Sequence, residues 1–408
     1  MRFLKRIKPP ALLQRKMVKN SLLITPSPYL NLLSNYIISF RSDDGSWFQE
    51  PLNTAIALYA LHAYYTNVTH SIPREILEVS IKYLKNELRT FSQNILSSED
   101  LYPELDQKAI IFGNIFYTLG IIGVIKAEEE IMSAFSKLEL EVLKYHHALA
   151  NVEAISSMLK CYSFSFMKDP PKEFIRFLLN TCLTSKSLRD CFIALDALNI
   201  LKNRSLKKIE HVWQDEIKHY SQWKDRGYQE SMKKIAQLKL KELSNEEEIE
   251  TLVYALIIAN RLNNNLTVKV SGILFKKLDL VWNKIFKGKI DEIKPILFDI
   301  SLVLMALSLT PLRNSIFISS TQLDHVLKAI NWYDEKVSKG IIPMTRRRYS
   351  ILLILLIVLI ILTIFPLAYI LFRGLIINIL VSFIISFVVG IILSPLINEL
   401  KKPPLEKG

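Results

Sequence analysis

Residues Ser39–Tyr65, with the sequence SFRSDDGSWFQEPLNTAIALYALHAYY, decide the fold of this chain. The pair Asp44-Gly45 predicts a tight turn, because glycine adopts left-handed backbone angles and aspartate accepts hydrogen bonds from the backbone of a turn. Trp47 follows the turn, and we expect its ring to wedge between helix ends. From Thr54 onward the segment is uncharged and rich in small residues. It therefore predicts a helix that is buried on most sides and approached closely by its neighbours.

Helices of this apolar kind recur along the chain and alternate with longer amphipathic helices. The apolar helices are predicted at Thr54–Tyr65, Lys108–Val124, Ala150–Tyr162, Arg189–Leu201, Glu250–Leu262 and Phe298–Leu309. The amphipathic helices are predicted at Pro73–Phe91, Ala127–Tyr145, Pro171–Leu183, Leu206–Leu243 (with a break near Gly227), Val268–Phe286 and Thr321–Val337. Apolar helices belong inside and amphipathic ones outside. The alternation predicts an all-α protein with an (α/α)6 toroid, a double-layered helical ring, over residues 21–340. An open α-solenoid has the same local pattern and stays as the alternative.

The composition excludes several other classes of fold. Only 11 of the 408 residues are glycine, against about 7% in a typical protein. Nucleotide-binding α/β folds and β-propellers use more glycine than this in their turns and phosphate loops. The three cysteines, at positions 161, 182 and 191, are too few and too irregularly spaced for a disulfide framework.

The turn and the helix that follows it resemble the repeat of terpenoid cyclases and protein prenyltransferases. The resemblance rests on Asp44-Gly45-Ser46-Trp47 followed by the small- and leucine-rich stretch Thr54–Leu61. Weaker echoes occur at Cys191–Leu201 and Leu302–Leu309. The resemblance implies the same (α/α)6 toroid that the helix pattern predicts, and a central cavity for an isoprenoid or other apolar ligand. It makes Asp44 and Trp47 candidate ligand-binding residues.

The catalytic motifs of that family are largely missing. Neither the Asp-x-Asp-Asp box nor the Asp-Asp-x-x-Asp box is present. Protein prenyltransferases bind zinc through an Asp-x-Cys motif at the start of an inner helix and a later histidine. Asp190-Cys191 is only a weak metal candidate, because the spacer residue is absent. We therefore expect no metal and no cofactor.

Acidic residues in the apolar helices are the remaining candidates for chemistry. Asp196 lies mid-helix among apolar residues, where a carboxylate needs a water-filled cavity or a basic partner such as Arg189 or Lys202. It is a weak catalytic and ligand-binding candidate, and we expect it to face the central cavity. Asp190 and Glu153 stand near helix starts and are weak catalytic candidates. Capping of the helix N-terminus explains both of them more simply.

Two further stretches predict a transmembrane hairpin. Residues 349–371 and 375–397 contain no charged residue, and each is long enough to cross roughly 30 Å of hydrocarbon as a helix. Arg346, Arg347 and Arg348 precede the first stretch, and the tail at 398–408 is basic. Because basic residues favour the cytoplasmic side, we expect a multi-pass protein of the cell membrane with both termini and the main domain in the cytoplasm.

The first twenty residues predict a basic arm. They carry seven lysine and arginine residues, and no acid occurs before Asp43. Anionic lipid headgroups attract such segments, so the arm and the hairpin both point to the lipid bilayer as a partner. The formal net charge of the chain is +13, but no nucleic-acid-binding motif accompanies it, and we do not expect a nucleic-acid partner.

Two functions from different classes fit these observations. The first is a membrane-anchored toroid that binds a lipid-like or isoprenoid ligand, or a protein partner, without the catalytic motifs of the family. The alternative is an enzyme of the terpenoid cyclase or prenyltransferase type with a divergent active site. A central cavity lined by aromatic residues and at least one unpaired carboxylate would favour the enzyme, and a plugged centre would favour the binding protein.

Overall fold

The computed structural model describes residues between 23 and 335. The gaps in this range are 25, 71–73, 126–127, 150, 221–222, 224–225, 245–246, 263, 288–292, 311–317, 320–323 and 332–334. The chain divides into two units, Met1–Pro343 and Met344–Gly408. All the described residues belong to the first unit. The basic arm predicted at 1–20, the hairpin at 349–371 and 375–397, and the tail at 398–408 lie outside them. None of the helices in the described ranges is both long and apolar enough to cross a membrane.

The described residues are almost entirely helical, so the all-α prediction is confirmed. The α-helices are α1 Pro26–Ser39, α2 Pro51–Tyr64, α3 Arg74–Ser97, α4 Leu105–Ile121, α5 Glu129–Leu149, α6 Val152–Cys161, α7 Lys172–Thr184, α8 Leu188–Glu216, α9 Tyr228–Glu242, α10 Ile249–Leu262, α11 Asn264–Lys287, α12 Ile293–Ser308 and α13 at 324–331. Short π and 3-10 turns lie at Tyr65–Thr69, Tyr102–Glu104 and Ile217–His219. Two short strands, β1 Leu23–Ile24 and β2 Ile318–Ser319, form an antiparallel pair.

The predicted apolar helices pack against one another in sequence. Helix α2 packs against α4, α4 against α6, α6 against α8, α8 against α10, and α10 against α12. Helix α12 in turn packs extensively against α2. We call α2, α4, α6, the first half of α8, α10 and α12 the inner helices. Most of their residues are buried, as their lack of charge predicts.

The turn before α2 forms as the sequence predicts. Asp44 Oδ1 accepts hydrogen bonds from the backbone N–H of Ser46 (3.0 Å) and from its hydroxyl (2.7 Å). Gly45 has φ +89°, and a Cβ there would lie 2.6 Å from the backbone nitrogen of Ser80 in α3. Trp47 is fully buried, and its Nε1 donates to the Ile37 carbonyl of α1 (2.7 Å) while its backbone N–H donates to Thr54 Oγ1 of α2 (3.0 Å). The turn thus connects α1 and α2 by hydrogen bonds and packs closely against α3.

Two elements differ from the sequence prediction. Helix α1 is not predicted, because it starts with Pro26, Ser27 and Pro28, residue types that favour turns. Its Tyr29 and Tyr36 pack edge-on against Phe275 and Trp282 of α11. Helix α8 runs on from the predicted inner helix, with a kink of non-helical backbone at Ser205 in place of a loop. The break predicted near Gly227 is confirmed, since Gly227 is the extended N-cap of α9.

Candidate ligand cavity

A cavity of about 190 Å³ lies among the inner helices. Every inner helix contributes side chains to its wall. The lining residues are Ile56, Tyr59, Asn114, Tyr117, Thr118, Lys160, Asp196, Ile200, Tyr254, Ile257, Asn260, Arg261, Leu302, Met305, Ala306, Leu309 and Thr310. Aliphatic side chains form much of the wall, and the polar ones come mostly from α4, α6, α8 and α10. The cavity is therefore amphipathic.

The cavity lies toward the C-terminal ends of the inner helices. Its lining residues come from the middle or the second half of each helix. The first turns meet elsewhere: Arg189 at the start of α8 contacts Glu153 at the start of α6 and Glu250 at the start of α10. These two sets of contacts show that α6, α8 and α10 run in the same direction. The cavity and the Arg189 cluster (Arg189, Glu153, Asp190 and Glu250) thus occupy opposite ends of these helices.

Three charged side chains meet in the cavity wall. Asp196 Oδ2 lies 2.9 Å from Lys160 Nζ, and Asp196 Oδ1 lies 3.4 Å from Arg261 Nη1. The Asp196 and Lys160 side chains are 7% and 13% exposed, whereas that of Arg261 is 38% exposed. The sequence-based expectation that Arg189 or Lys202 is the partner of Asp196 is wrong. Lys160 and Arg261 are closer because α6 and α10 both pack against α8 at this level.

The ion pair keeps both of its members charged. Burial by itself raises the pKa of Asp196, but the charges and hydrogen bonds of Lys160 and Arg261 outweigh burial, and the pKa is lowered. Burial by itself lowers the pKa of Lys160, but the charge of the Asp196 carboxylate and its hydrogen bond outweigh burial. The pKa of Lys160 is therefore raised. A carboxylate and an ammonium shifted in these directions hold their charges at neutral pH.

Tyrosines surround the charged group. Tyr59 and Tyr117 meet edge to face with ring centroids 5.8 Å apart, and Lys160 Nζ lies 5.3 Å from the centroid of the Tyr254 ring. Burial, reinforced by the nearby Asp196 charge, raises the pKa of Tyr59. Burial likewise raises the pKa of Tyr254 to about 12. These phenols are therefore neutral hydrogen-bonding groups at physiological pH.

One polar atom in the cavity lacks a partner. The Oδ1 atom of Asn260 is buried and accepts no hydrogen bond from any described residue. Asn260 precedes Arg261 and lines the same cavity. A buried acceptor of this kind calls for a donor from water or from a ligand.

The Arg189 cluster joins the N-terminal ends of α6, α8 and α10. Arg189 Nη2 donates to Glu153 Oε2 (2.6 Å), and Nε donates to Glu250 Oε2 (2.7 Å). Asp190 is farther away, with its Oδ1 at 3.8 Å from Arg189 Nη1. Burial, together with the charges of Glu250 and Glu248, raises the pKa of Asp299 from its usual 3.8 to about 6. The cluster has more acids than cations.

The sequence candidates occupy different places. Asp196 lines the cavity, whereas Glu153 and Asp190 belong to the Arg189 cluster at the opposite end. Asp44 and Trp47 form the turn before α2 and do not line the cavity. The catalytic roles of the first three and the ligand-binding roles of Asp44, Trp47 and Asp196 stay predictions.

Among the described residues, Asp190 and Cys191 are not joined by further side chains into a group that could hold a metal ion. The Cys191 thiol is fully buried and directed at the Cys182 carbonyl (3.8 Å), whereas the Asp190 side chain is 34% exposed. Within the described ranges, no three His, Cys, Asp or Glu side chains are grouped so that they could hold a metal ion.

Lys160 and Arg261 are the functional candidates that sequence reasoning missed. Each is an isolated charge near the C-terminal end of an apolar helix, which is the kind of signal that singled out Asp196. A cation at that end of a helix also complements the helix dipole, so the pattern alone does not indicate a site. Only their convergence on one carboxylate does so.

Comparison of the chain with protein-family models, curated proteins and solved structures finds no match. The resemblance to terpenoid cyclases and prenyltransferases therefore stays a prediction, which rests on the turn before α2 and on the alternation of helices.

Proposed function

We propose that the chain is a membrane-anchored (α/α)6 toroid whose central cavity binds a small amphipathic lipid-like ligand. The observation that carries the proposal is the cavity wall, to which every inner helix contributes. The contact between α12 and α2, the last and first inner helices, supports a closed ring over an open solenoid. The pairing of β1 with β2 brings residues from near the two ends of the described range together as well.

The electrostatics of the cavity favour binding over proton-transfer chemistry. A general acid or base works best when its pKa lies near the working pH. Asp196 and Lys160 have their pKa values shifted away from neutrality, and so do Tyr59 and Tyr254. A paired carboxylate of this kind fixes the positions of Lys160 and Arg261. The enzymatic alternative would require Asp196 to give up its partners during turnover.

The membrane anchor follows from the uncharged stretches at 349–371 and 375–397. A hairpin there would attach the protein to a bilayer, which is the source of a lipid-like ligand. Lipid-like ligands concentrate in membranes, so an anchor would bring the protein to its ligand.

Photolabelling tests the binding site. The full-length chain in lipid nanodiscs is irradiated with a diazirine analogue of octanol, and the labelled peptides are identified by mass spectrometry. We expect saturable labelling of peptides that contain Leu302 and Met305. The variant Ala306→Phe fills the cavity and should remove this labelling, whereas Ala306→Ser adds almost no bulk and should retain it. Labelling that does not saturate, or that persists in Ala306→Phe, would contradict the proposal.

Cysteine labelling tests the anchor. The native cysteines are buried, so an impermeant thiol reagent added to intact cells reports introduced cysteines. We expect labelling of Arg373→Cys in the predicted turn and none of Lys407→Cys. The opposite pattern would place the termini outside the cell and refute the proposed orientation.

A further inference from the structure

The polar end of the cavity has a surplus of positive charge. Lys160 and Arg261 supply two cations, and Asp196 supplies the one carboxylate between them. Tyr59, Tyr117 and Tyr254 are neutral, because burial raises the pKa of each phenol. A surplus charge in a partly buried site is costly unless a group of opposite sign accompanies it. The cavity is therefore electrostatically suited to an anion.

Both cations have hydrogen-bond donors to spare. An ammonium group has three N–H donors and a guanidinium group has five. In the described part of the chain, Asp196 is the one hydrogen-bonding acceptor with which either of them pairs. The same carboxylate contacts both cations, at 2.9 and 3.4 Å, so the two cations lie close together. Two oxygens of an acidic group can accept from such a pair of donors.

The rest of the cavity wall determines the other half of the ligand. Ile257, Leu302 and Met305 provide an apolar surface. The volume of about 190 Å³ is somewhat larger than an engineered cavity of about 150 Å³ that holds benzene, so it suits a chain of about eight carbons.

We propose that the ligand is a single-chain amphipathic acid, whose carboxylate or phosphate monoester accepts from the remaining N–H donors of Lys160 and Arg261 and whose hydrocarbon chain lies against Ile257, Leu302 and Met305. This inference rests on the proposed binding function and adds the charge of the head group. Asp196 acts in it as a positioning residue that holds the two cations in place.

The competing explanation is structural. Lys160 and Arg261 lie near the C-terminal ends of α6 and α10, where a cation is stabilised by the helix dipole. On this explanation the surplus charge needs no ligand, and the cavity would not distinguish an acid from an alcohol of the same length.

Competition against the photoreactive octanol analogue separates the two explanations. Full-length protein in nanodiscs is labelled in the presence of octanol, octanoate, octyl phosphate or octylamine. Competitor concentrations are corrected for partition into protein-free nanodiscs. We expect octanoate and octyl phosphate to compete at concentrations about tenfold below octanol, as one charge-assisted hydrogen bond would give. We expect octylamine to compete least.

Matched variants locate the effect. Arg261→Gln should remove most of the preference for octanoate while octanol competes as before, and Arg261→Lys should keep part of the preference. Arg226→Gln is the control, because Arg226 is similarly exposed (33%) but pairs with Glu230 on α9; it should leave the preference unchanged. Because octanol competition is measured on every variant, a misfolded protein is recognised by its loss of all labelling, and Arg261→Lys then supplies the test.

The outcomes are distinct for the two proposals. If none of the four compounds competes, the proposed binding function fails, and this inference fails with it. If octanol competes as well as octanoate in the wild-type protein, or if octylamine competes best, binding stands and the anionic head group is refuted. A preference that Arg261→Gln and Arg226→Gln reduce equally would also refute it.

Discussion

The two ends of the inner helices carry charge networks of opposite composition. At the N-terminal ends, one cation, Arg189, lies between Glu153 and Glu250. At the C-terminal ends, one carboxylate, Asp196, lies between Lys160 and Arg261. Since α6, α8 and α10 run in the same direction, Glu153 and Glu250 at one end and Lys160 and Arg261 at the other follow the helix dipole, which favours acids at the N-terminus and cations at the C-terminus. Arg189 and Asp196, both on α8, are the opposite charges that pair with them. The two networks differ because only the second one borders the cavity among the inner helices. The Arg189 cluster therefore serves to hold helices together, whereas the Asp196 network is a candidate binding site.

The largest expected effect is that of removing Lys160. Lys160→Met leaves the buried Asp196 with only the half-exposed Arg261 as a partner. We expect the free energy of unfolding to fall by about 3 kcal/mol, as for other broken buried pairs. Thermal melting of the full-length protein measures the loss.

The double variant Lys160→Met with Asp196→Leu is the control for this change. It removes the stranded carboxylate as well, and most of the lost stability should return, because uncharged side chains often replace a buried pair without cost. A double variant as unstable as Lys160→Met would show that Lys160 stabilises the fold by packing. The charge of the Asp196 network would then not account for the loss of stability.

Removing Arg189 should have a smaller effect. Arg189→Met leaves Glu153 and Glu250 facing each other, but their side chains are 26% and 16% exposed and water reaches them more readily. We expect a loss of about 2 kcal/mol. Arg176→Met is the matched control, because its pair with Glu216 is 47% exposed on the arginine side and should be worth less than about 1 kcal/mol. Equal losses of stability in Arg189→Met and Arg176→Met would show that the Arg189 cluster contributes no more than an ordinary surface ion pair.

Sequence reasoning reached the all-α class because an uncharged helix leaves a clear signal. It also located the turn at Asp44-Gly45, since few residues other than glycine accept φ +89° with the α3 backbone so close. It missed α1, because the Pro-Ser-Pro stretch at its start favours a turn.

The sequence predicts only one member of the Asp196 network. Asp196 is visible in the sequence as a charge inside an apolar helix, but its partners lie 36 residues before it and 65 after it on other helices. Their identity depends on which inner helices are adjacent and at what height. That information lies in the packing and not in any local pattern.

A stabilising change is expected at the N-terminal ends. The pKa of Asp299 is raised to about 6 by burial and by Glu250 and Glu248. A carboxyl group whose pKa is raised in the folded state stabilises that state fully at pH values below its usual pKa of 3.8. This stabilisation is lost as the pH rises through about 6. Asp299→Asn should therefore raise stability by about 1 kcal/mol at about pH 7.5, and the gain should vanish near pH 4.

Melting curves of Asp299→Asn and wild type across this pH range test the expectation. A gain that is the same at both ends of the range would show that Asp299 acts through packing and not through charge.

The smallest expected effect on stability is that of Arg261→Gln. Its side chain is 38% exposed and Asp196 keeps Lys160 as its closer partner, so the loss should stay below about 1 kcal/mol. Thermal melting would thus barely detect a variant that removes most of the selectivity for an acid. A loss as large as that of Lys160→Met would make Arg261 a structural residue, like Arg189.

A structure of the full-length protein in nanodiscs with octyl phosphate tests the central claim most directly. The account predicts density for the phosphate within hydrogen-bonding distance of Lys160 Nζ and the Arg261 guanidinium, with the octyl chain along Ile257, Leu302 and Met305. It also predicts no phosphate at the Arg189 cluster. A cavity without ligand density at saturating octyl phosphate, or a phosphate bound at the Arg189 cluster instead, would contradict it.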